Sequence, residues 1–556
     1  MLSTYTYPKY EYRVPPEIAT GRTLKAPVVI VGAGPVGLGM ALDLDLQGIP
    51  VLLLDEDDTV SIGSRGVCYA KRALEILDRY GIGDAVCAKG VSWNVGRTFF
   101  RDKEVYNFNL VPEPDHHRPG MVNLQQYYLE EYLVARAATR PGIELRWKNK
   151  VVSVTQGGSG ATLTVETADG MYSVEADWLI AADGARSPIR RMLGLEVEGK
   201  IFMDRFLIAD VVMKADFPAE RWFWFDPPFH PNQSVLLHKQ TDSVFRIDFQ
   251  LGWDADPEEE KKPENVIPRI KAMLGAMDGK AREFELEWVS VYTFQCRRMA
   301  KFNHGRVLFV GDAAHQVSPF GARGANSGLQ DADNLGWKLK LVIDGKAPAS
   351  LLDSYSEERV YAADENLMNS TRSTDFITPK SRVSRTFRNA ILSLAKDHAF
   401  GRSLVNSGRL SVPSFLVDSS LNTADTESFT GRMLPGAPLD DAPVEKGGAP
   451  GWLLQSTGNR FQLMLFVDNP AAVDVAALSA LDFDGIRVEP LIVARRAGSA
   501  DSLACVHDVR GVAFTRYDAQ PGTAYLIRPD QHVVARWRRF DKAQLRAAVT
   551  RACGRS

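Results

Sequence analysis

Residues 26–31, Ala-Pro-Val-Val-Ile-Val, run straight into Gly32-Ala33-Gly34-Pro35-Val36-Gly37, and the residues on either side of that hexapeptide leave few folds open. A short, β-branched apolar run that closes on glycines reads as a strand buried on both faces. From Gly37 to Gln47, Leu38, Ala41, Leu42 and Leu46 recur at helical spacing until Gly48 stops the pattern. Pro50-Val51-Leu52-Leu53-Leu54 is then a second buried strand, and it ends at Asp55 and Glu56. Strand, glycine turn, helix, strand and acid in this order make a βαβ unit of the dinucleotide-binding kind. Gly32 permits the tight turn, Gly34, beside Pro35, lets backbone approach a pyrophosphate, Gly37 allows close helix packing, and the helix start offers N–H groups to phosphate. Asp55 follows Gly37 by 18 residues, where a carboxylate accepts from a ribose hydroxyl.

This unit is a small part of the chain. One hydrophobic core stops growing near roughly 250–300 residues, so 556 residues call for two or three domains. With 45% hydrophobic and 24% charged residues the bulk is globular. Lysine plus arginine number 66 against 69 acids, a net charge of −3 that gives no broad surface for nucleic acid or anionic lipid. The five cysteines, Cys68, Cys87, Cys296, Cys505 and Cys553, are scattered without CxxC or Cys/His spacing, so no metal site is expected and a reducing compartment is. The first residues lack the basic start and apolar run of a secretory signal, and no stretch approaches the roughly 20 apolar residues of a membrane span. The expectation is a cytoplasmic protein without membrane contact.

Along the chain, residues 1–25 are polar, with Pro15-Pro16 disfavouring helix, and read as an extended arm. Trp178-Leu179-Ile180-Ala181-Ala182 and Arg306-Val307-Leu308-Phe309-Val310 are apolar runs that resemble further strands of the first sheet, ending at Asp183-Gly184 and Gly311-Asp312. Between them the period changes to two. Ser234-Val235-Leu236-Leu237-His238-Lys239-Gln240 and Val244-Phe245-Arg246-Ile247-Asp248-Phe249-Gln250 flank a turn at Thr241-Asp242-Ser243, which is an antiparallel hairpin with one apolar and one polar face. Residues 331–343 read as a helix, 354–407 as helices broken at Pro379, 411–450 as a linker or extended crossing segment, and strands are expected near 461–467, 486–493 and 524–527.

The glycine turn does not say which dinucleotide binds; two later segments do. Ala182-Asp183-Gly184-Ala185-Arg186-Ser187-Pro188 and Gly311-Asp312-Ala313-Ala314-His315-Gln316-Val317-Ser318-Pro319, taken with the first motif, resemble the three fingerprints of the single-component FAD-dependent aromatic hydroxylases, the para-hydroxybenzoate hydroxylase and phenol hydroxylase family. The resemblance spans roughly residues 26–375 and implies an α/β architecture: a Rossmann-type FAD-binding domain (26–200 and 301–410) interrupted by an antiparallel-sheet substrate domain (201–300). Residues 451–556 resemble the thioredoxin-like domain of the phenol hydroxylase branch, through Gly431-Arg432-Met433-Leu434-Pro435-Gly436 and the segment from Ala524 to Trp537. Cys505 has no CxxC partner, so dithiol chemistry is excluded there.

The resemblance implies FAD as cofactor, NADH or NADPH as transient co-substrate, O2, a flavin C4a-hydroperoxide and a phenolic substrate, in a homodimer. It implies that Asp312 holds the ribityl chain, that Asp183, Gly184 and Arg186 serve the second segment with Gly311 at the third, that Arg65 lies near the flavin or its phosphates, and that Gln125 lies near the ribityl and ribose. Pro319 and the backbone of Gly324, Ala325 and Asn326 would run along the isoalloxazine. His315 packs at the turn in this pattern more often than it reacts. Relatives of the phenol hydroxylase type carry an acid two residues after the Arg65 position, whereas this chain has Val67, so a substrate base must come from elsewhere or be dispensable.

Substrates of the family lie against the antiparallel sheet. The polar hairpin face, His238, Gln240, Arg246, Asp248 and Gln250, either borders the pocket or faces solvent. His238 is the expected catalytic group because imidazole titrates near neutral pH, with Tyr292 a second catalytic and pocket residue beside Gln240, Asp248 and Pro319. Gln240 stands where the para-hydroxybenzoate branch places a carboxylate-gripping arginine, which favours a phenol, catechol or hydroquinone, or an acid held by another residue. An FAD oxidase or dehydrogenase is the alternative. Trp222-Phe223-Trp224-Phe225-Asp226-Pro227 also partly matches a halogenase signature, but aromatic residues on a strand more often pack.

Overall fold

In the computed structural model, which describes residues 4–278, 282–406 and 411–555, the strand Leu24–Val31 lies at the centre of a parallel sheet. Val51–Leu54 pairs on one side of it and Gly170–Ala181 on the other, with Ile143–Arg146 and Val307–Phe309 outside them. Val28, Val29 and Ile30 are fully buried in a core shared with Leu38, Ala41 and Leu42 of the helix Pro35–Leu46 and with Val154, Leu163 and Val165 of the antiparallel strands Lys150–Gly157 and Gly160–Thr167. The helix Pro35–Leu46 is covered in turn by Gly324–Ile343, and glycines let the two backbones close: a Cβ on Gly328 would stand 2.4 Å from Val36 and one on Gly39 2.9 Å from Leu329.

Two local readings change. Pro15-Pro16 does not exclude helix: Pro16–Thr20 is a single turn with Pro16 at its first position, where the missing N–H would have no helical partner anyway. The helix expected at 331–343 begins at Gly324, seven residues earlier, because its first two turns are small and polar and carry no apolar period. Leu351–Ile377 and Arg382–Ala395 are separated at Thr378-Pro379. The expected end of this helical stretch, residue 407, lies outside the described residues.

The hairpin belongs to an eight-stranded sheet in the order His315–Gln316, Phe284–Arg298, Glu198–Met213, Val244–Leu251, Ser234–Lys239, Arg221–Phe225, Val95–Phe100, Lys103–Asn109. Both edges therefore come from outside residues 201–300, and the two residues His315 and Gln316, just beyond the Gly311-Asp312 turn, form one of them. One face, including Leu207, Val211, Leu237, Ile247 and Phe249, packs on Val266, Ile270, Met273 and Leu274 of the helix Pro263–Asp278.

In the carboxy-terminal unit Phe461–Val467, Ile486–Ala494 and Ala504–His507 are parallel, and Ala524–Ile527 and Val533–Trp537 extend the sheet antiparallel from the other side. Residues 411–450 are not a free linker. Pro443–Lys446 and Ala449–Trp452 are strands of this sheet, and Met433, Ala437, Leu439 and Ala442 lie in its core.

A buried ion network joins this unit to the dinucleotide unit. Arg528 donates to Glu358 at 2.7 Å and to Asp530 at 2.6 Å, and Lys338 donates to the other Glu358 oxygen at 2.7 Å. Arg72 reaches the Asp530 carbonyl at 2.8 Å and Asp333 at 3.0 Å. Burial would raise Glu358, but Arg528 and Lys338 outweigh it and hold it well below the carboxylate range. Lys338 shares unequally: burial lowers it to about 8, with Glu358 opposing and Arg528 adding to the fall. Removing one partner strands the others without water. Arg528→Met is therefore expected to cost about 3–5 kcal/mol, read as a lower apparent thermal midpoint, whereas Arg13→Met, which loses only the exposed pair with Glu11, should cost under about 1 kcal/mol. Because Glu358 and Asp530 titrate lower folded than unfolded, this contribution is complete above about pH 5 and is lost as pH falls toward the folded values.

Candidate functional site

The three motifs meet at the ends of the parallel strands. Gly32 has φ 104°, and a Cβ there would lie 2.5 Å from the Ala182 carbonyl, so the glycine turn presses on the Asp183 segment. A Cβ on Gly37 would be 1.8 Å from the Gly32 carbonyl, while one on Gly34 would meet no protein atom within 4 Å. Gly37 is thus required by the fold and Gly34 leaves an open approach. The first helical bond, Leu38 N–H to the Gly34 carbonyl, leaves the Val36 and Gly37 N–H groups outside the ladder, with Pro35 contributing none. Asp55 accepts from the Ala33 and Asp57 N–H groups and so braces the turn; burial raises it to about 6 against those two bonds. Glu56 is exposed beside it.

At the third motif, Gly311 has φ 60°, and Asp331 ties this turn to the histidine beyond it. One Asp331 oxygen accepts from Gly311 N–H at 2.9 Å and from His315 Nε2 at 2.6 Å, and the other accepts from Arg359 at 2.6 Å. Burial would raise Asp331, but His315 and Arg359 hold it below its ordinary value. His315, stacked on Phe302, is fully buried in this pairing. Asp312 is accessible to solvent, yet its dense surroundings raise it, with His315 opposing and Asp331 adding. Asp183 accepts from Ile189 N–H with one oxygen and has no partner for the other, and Gly184 has φ 77°. Arg186 is exposed. The buried arginine of this segment is Arg190, which ties the second motif to the third through the Ala185 and Ala313 carbonyls. Arg65 is exposed at the rim, while Gln125 is fully buried with neither amide atom partnered.

Pro319 is exposed, and Gly321 (φ 113°) and Ala322 (φ 52°) turn the chain into the helix Gly324–Ile343. Its first bond, Ser327 N–H to Arg323, leaves the N–H groups of Gly324, Ala325 and Asn326 outside the ladder. The Asn326 side chain is committed: it accepts from Ala70 N–H and donates to the Cys68 carbonyl. Only its backbone is left for a ligand.

The inner face of the eight-stranded sheet is graded in rows. Asp210, Arg246, His238 and Arg221 are successive cross-strand partners; Ile208, Asp248, Leu236 and Phe223 form the next row; Tyr292 and Phe206 lie in the third, where Phe225 pairs Ser234. This face is turned to the protein interior, not to solvent. Phe320, from the loop after the third motif, packs on Phe206 and Phe294 with ring centroids 5.0 Å apart in each case. Arg246 joins Asp210 at 3.1 Å and donates to the Ser64 carbonyl, fastening the segment before Arg65 onto the charged row. Asn123 accepts from Trp93 at 2.7 Å and donates to the Lys239 carbonyl, and Trp93 lies 6.1 Å from the His238 ring.

The structure brings His238, Gln240 and Asp248 together and gives them unexpected properties. Burial, then Arg221 and Arg246, push His238 well below the usual imidazole range. It is a neutral ring that does not titrate near pH 7, which corrects the premise on which it was chosen. Asp248 rises to about 7 through burial, with Arg246 and Arg221 opposing and Asp210 adding. His238 Nδ1, both amide atoms of Gln240 and one Asp248 oxygen are buried without partners. Tyr292 is 44% exposed at the aromatic end; burial of its hydroxyl surroundings, Asp312 and Cys296 raise it to about 12. Sequence reasoning passed over Arg221, lowered to about 10 by burial against Cys68 and Asp248. Its signal was obscured by the aromatic strand it opens, whose Trp222 and Trp224 pack on the opposite, apolar face. A groove of about 550 Å³ lined by His117, Trp452 and Val509 holds none of these residues. Among the described residues no cluster of three or more His, Cys, Asp or Glu is arranged for a metal ion, and no helix is long and apolar enough to cross a membrane.

Comparison with known proteins gives consistent results. The family model described as FAD binding domain matches residues 25–370. The chain is similar to a 3-(3-hydroxy-phenyl)propionate/3-hydroxycinnamic acid hydroxylase of Mycobacterium sp. (strain JLS), 27% identical over 527 residues that cover 91% of this chain and 88% of the relative. Its fold is similar to that of the flavin-dependent monooxygenase PieE in complex with FAD and substrate, with a TM-score of 0.77 and 24% identity over 96% of this chain and 100% of the other. It is also similar to p-nitrophenol 4-monooxygenase PnpA from Pseudomonas putida DLL-E4, with a TM-score of 0.60 and 25% identity over 69% of this chain and 96% of the other.

The unpartnered Gln125 and Asp183 atoms, the two free helix starts and the open side of Gly34 fit an FAD. Gly34→Val is expected to leave the thermal midpoint of the apoprotein unchanged and to abolish the bound yellow chromophore. Gly37→Val, which collides with the Gly32 carbonyl, should lose soluble folded protein altogether.

Proposed function

This chain belongs to the FAD binding domain family and is an FAD-dependent aromatic hydroxylase, and from that premise we propose that it hydroxylates a hydroxyphenyl acid at the expense of NAD(P)H and O2. The observation that carries the substrate class is the grading of the inner sheet face: an aromatic wall, then the row of Asp248 with its unpartnered oxygen, then the row that holds His238 and two buried arginines, with Gln240 beyond it. A phenolic ring fits the first, its hydroxyl the second and a side-chain carboxylate the third. The similarity to hydroxylases of 3-(3-hydroxyphenyl)propionate supports the same class.

Bound FAD, reduced by NAD(P)H, supplies the activation of O2 that delivers one oxygen atom to the ring. The protein's own groups bind, orient and exclude water. Gly34, Gly37 and the N–H groups of Val36 would hold the pyrophosphate, Asp55 and Gln125 the ribose and ribityl region, Asp312 a ribityl hydroxyl, and the Gly324–Asn326 backbone the pyrimidine edge, where the helix start favours negative charge. Phe206, Phe223 and Phe320 keep the ring dry. His238 and Gln240, being neutral, orient the substrate hydroxyl by hydrogen bonds, and Arg221 meets the carboxylate that Gln240 cannot bind. In this reading the substrate domain is residues 201–300 together with the strands from 95–109, and the carboxy-terminal sheet is thioredoxin-like, since its parallel strands continue into an antiparallel pair. A cytoplasmic homodimer completes it.

The test is NAD(P)H oxidation by the holoenzyme over hydroxyphenylpropionates, hydroxycinnamates, simple phenols, catechols and hydroquinones, with product mass checked for one added oxygen. Hydroxyphenyl acids are expected to stimulate oxidation most; indifference to all aromatics would remove the proposal. Arg221→Met should raise KM for the acids roughly 10–100-fold, the range of a lost charge-assisted hydrogen bond, while changing KM for uncharged phenols far less.

A further inference from the structure

Attack of a phenol ring on an electrophilic oxygen is assisted when the phenolic O–H bond breaks and its electron pair is released into the ring. Position 67, where phenol hydroxylase relatives carry an acid, is the buried Val67 in this chain. Geometry leaves few groups able to substitute for it. Asp210 is held by Arg246 in a buried ion pair. Cys68 already contacts Asn123, and burial pushes its thiol up to about 12. Tyr292 stands at the exposed end of the aromatic row. Asp248 occupies the middle row, between the charged row and the aromatic wall, with one oxygen buried and unpartnered. It is close enough to Cys68, the neighbour of Val67, to influence its titration.

We propose that Asp248 is the catalytic base, accepting the phenolic proton on its unpartnered oxygen as the ring carbon ortho or para to that hydroxyl is hydroxylated. The inference rests on the hydroxylase reading above. The substrate O–H bond breaks, an O–H bond forms on Asp248, and no electrons are exchanged with the protein. The groups facing Asp248 are Arg246 on its own strand, Asp210, His238 and Arg221 on the neighbouring strands, and Cys68 on the segment above. Cys68 and Arg221 titrate above neutrality and His238 is held below it, while burial raises Asp210 against its pairing with Arg246. Protonation of Asp248 removes one negative charge from beside Arg221 and Arg246, which suits a newly formed phenolate.

The experiment compares wild-type holoenzyme with Asp248→Asn on two substrates of similar shape, one protonated at pH 7 and one a nitrophenol already ionised there. For the protonated phenol, wild-type kcat/KM should rise with pH through about 7, the range in which Asp248 loses its proton, and Asp248→Asn should lose at least about 100-fold, the lower end for general base catalysis, together with that limb of the profile. For the ionised substrate the loss should stay within about threefold. Equal losses on both substrates, or a pH limb that survives in Asp248→Asn, would overturn the assignment while leaving the hydroxylase reading intact. A variant that does not fold does not protect the proposal: wild-type profiles for the two substrates that share the same limb also overturn it. If no phenol stimulates wild-type NAD(P)H oxidation, the hydroxylase reading itself fails and this proposal fails with it.

Discussion

Asp331 is the point on which the site is assembled. Its carboxylate accepts from the Gly311 backbone, His315 and Arg359, so one buried group fixes the third motif, the edge strand after it and the two long helices to one another. His315 pairs across the sheet edge with Arg298, and the same helix that carries Asp331 begins at Gly324 with its free N–H groups. Cofactor edge and substrate sheet are therefore not two domains brought together by a hinge. Any movement of the Gly311-Asp312 turn moves the edge of the substrate sheet with it.

A second constraint is charge balance on the inner sheet face. Four ionisable side chains from four adjacent strands, together with Asp248, are removed from water, and each ion so buried costs several kcal/mol unless paired. Arg246 is satisfied by Asp210 and Ser64. The unpartnered atoms, one oxygen of Asp248, a nitrogen of His238 and the amide of Gln240, lie along the inner face of one hairpin, Asp248 on the aromatic side of the charged row, His238 in it and Gln240 beyond it. Buried polar atoms without partners are rare in folded proteins, and their concentration at one place marks where a ligand completes the bonding.

The sequence carried the cofactor half of this arrangement in plain form, because glycine turns, helix starts and terminal acids are local: Gly32 to Asp55 can be read without knowing any partner strand. The substrate half depends on pairings between distant segments. Alternation placed Arg246 and Asp248 on one face, but whether that face met solvent or the interior was decided by the segments packed on it, Ser64 against Arg246 and Phe320 against Phe206 and Phe294, which no local pattern places there. Arg221 opens an aromatic strand and reads as its polar flank. His238 appeared reactive because an isolated imidazole titrates near neutrality; burial, and then the two arginines beside it, visible only after the strands are paired, remove that property, while Asp248 rises to about 7. Residues 411–450 read as a linker for a related reason: extended chain crossing a core needs small and turn-forming residues as much as a tether does.

The carboxy-terminal unit obeys the same logic. Its cysteines, Cys505 on the strand Ala504–His507 and Cys553 just after the helix Lys542–Ala552, are free thiols. Its contribution is the turn from Arg528 to Gln531, inserted against Arg72, Asn334 and Glu358. Asn334 and Lys338 lie on the helix whose other end presents Gly324 and Ala325, and Arg72 lies on the helix just after the strand tied to Asn326. Both helices, the one that starts at Gly324 and the one that follows the strand tied to Asn326, are thus held at this end by a buried ion network. Such a network is costly to break and gives little when only partly formed, so the carboxy-terminal turn and the two helices are coupled through charge.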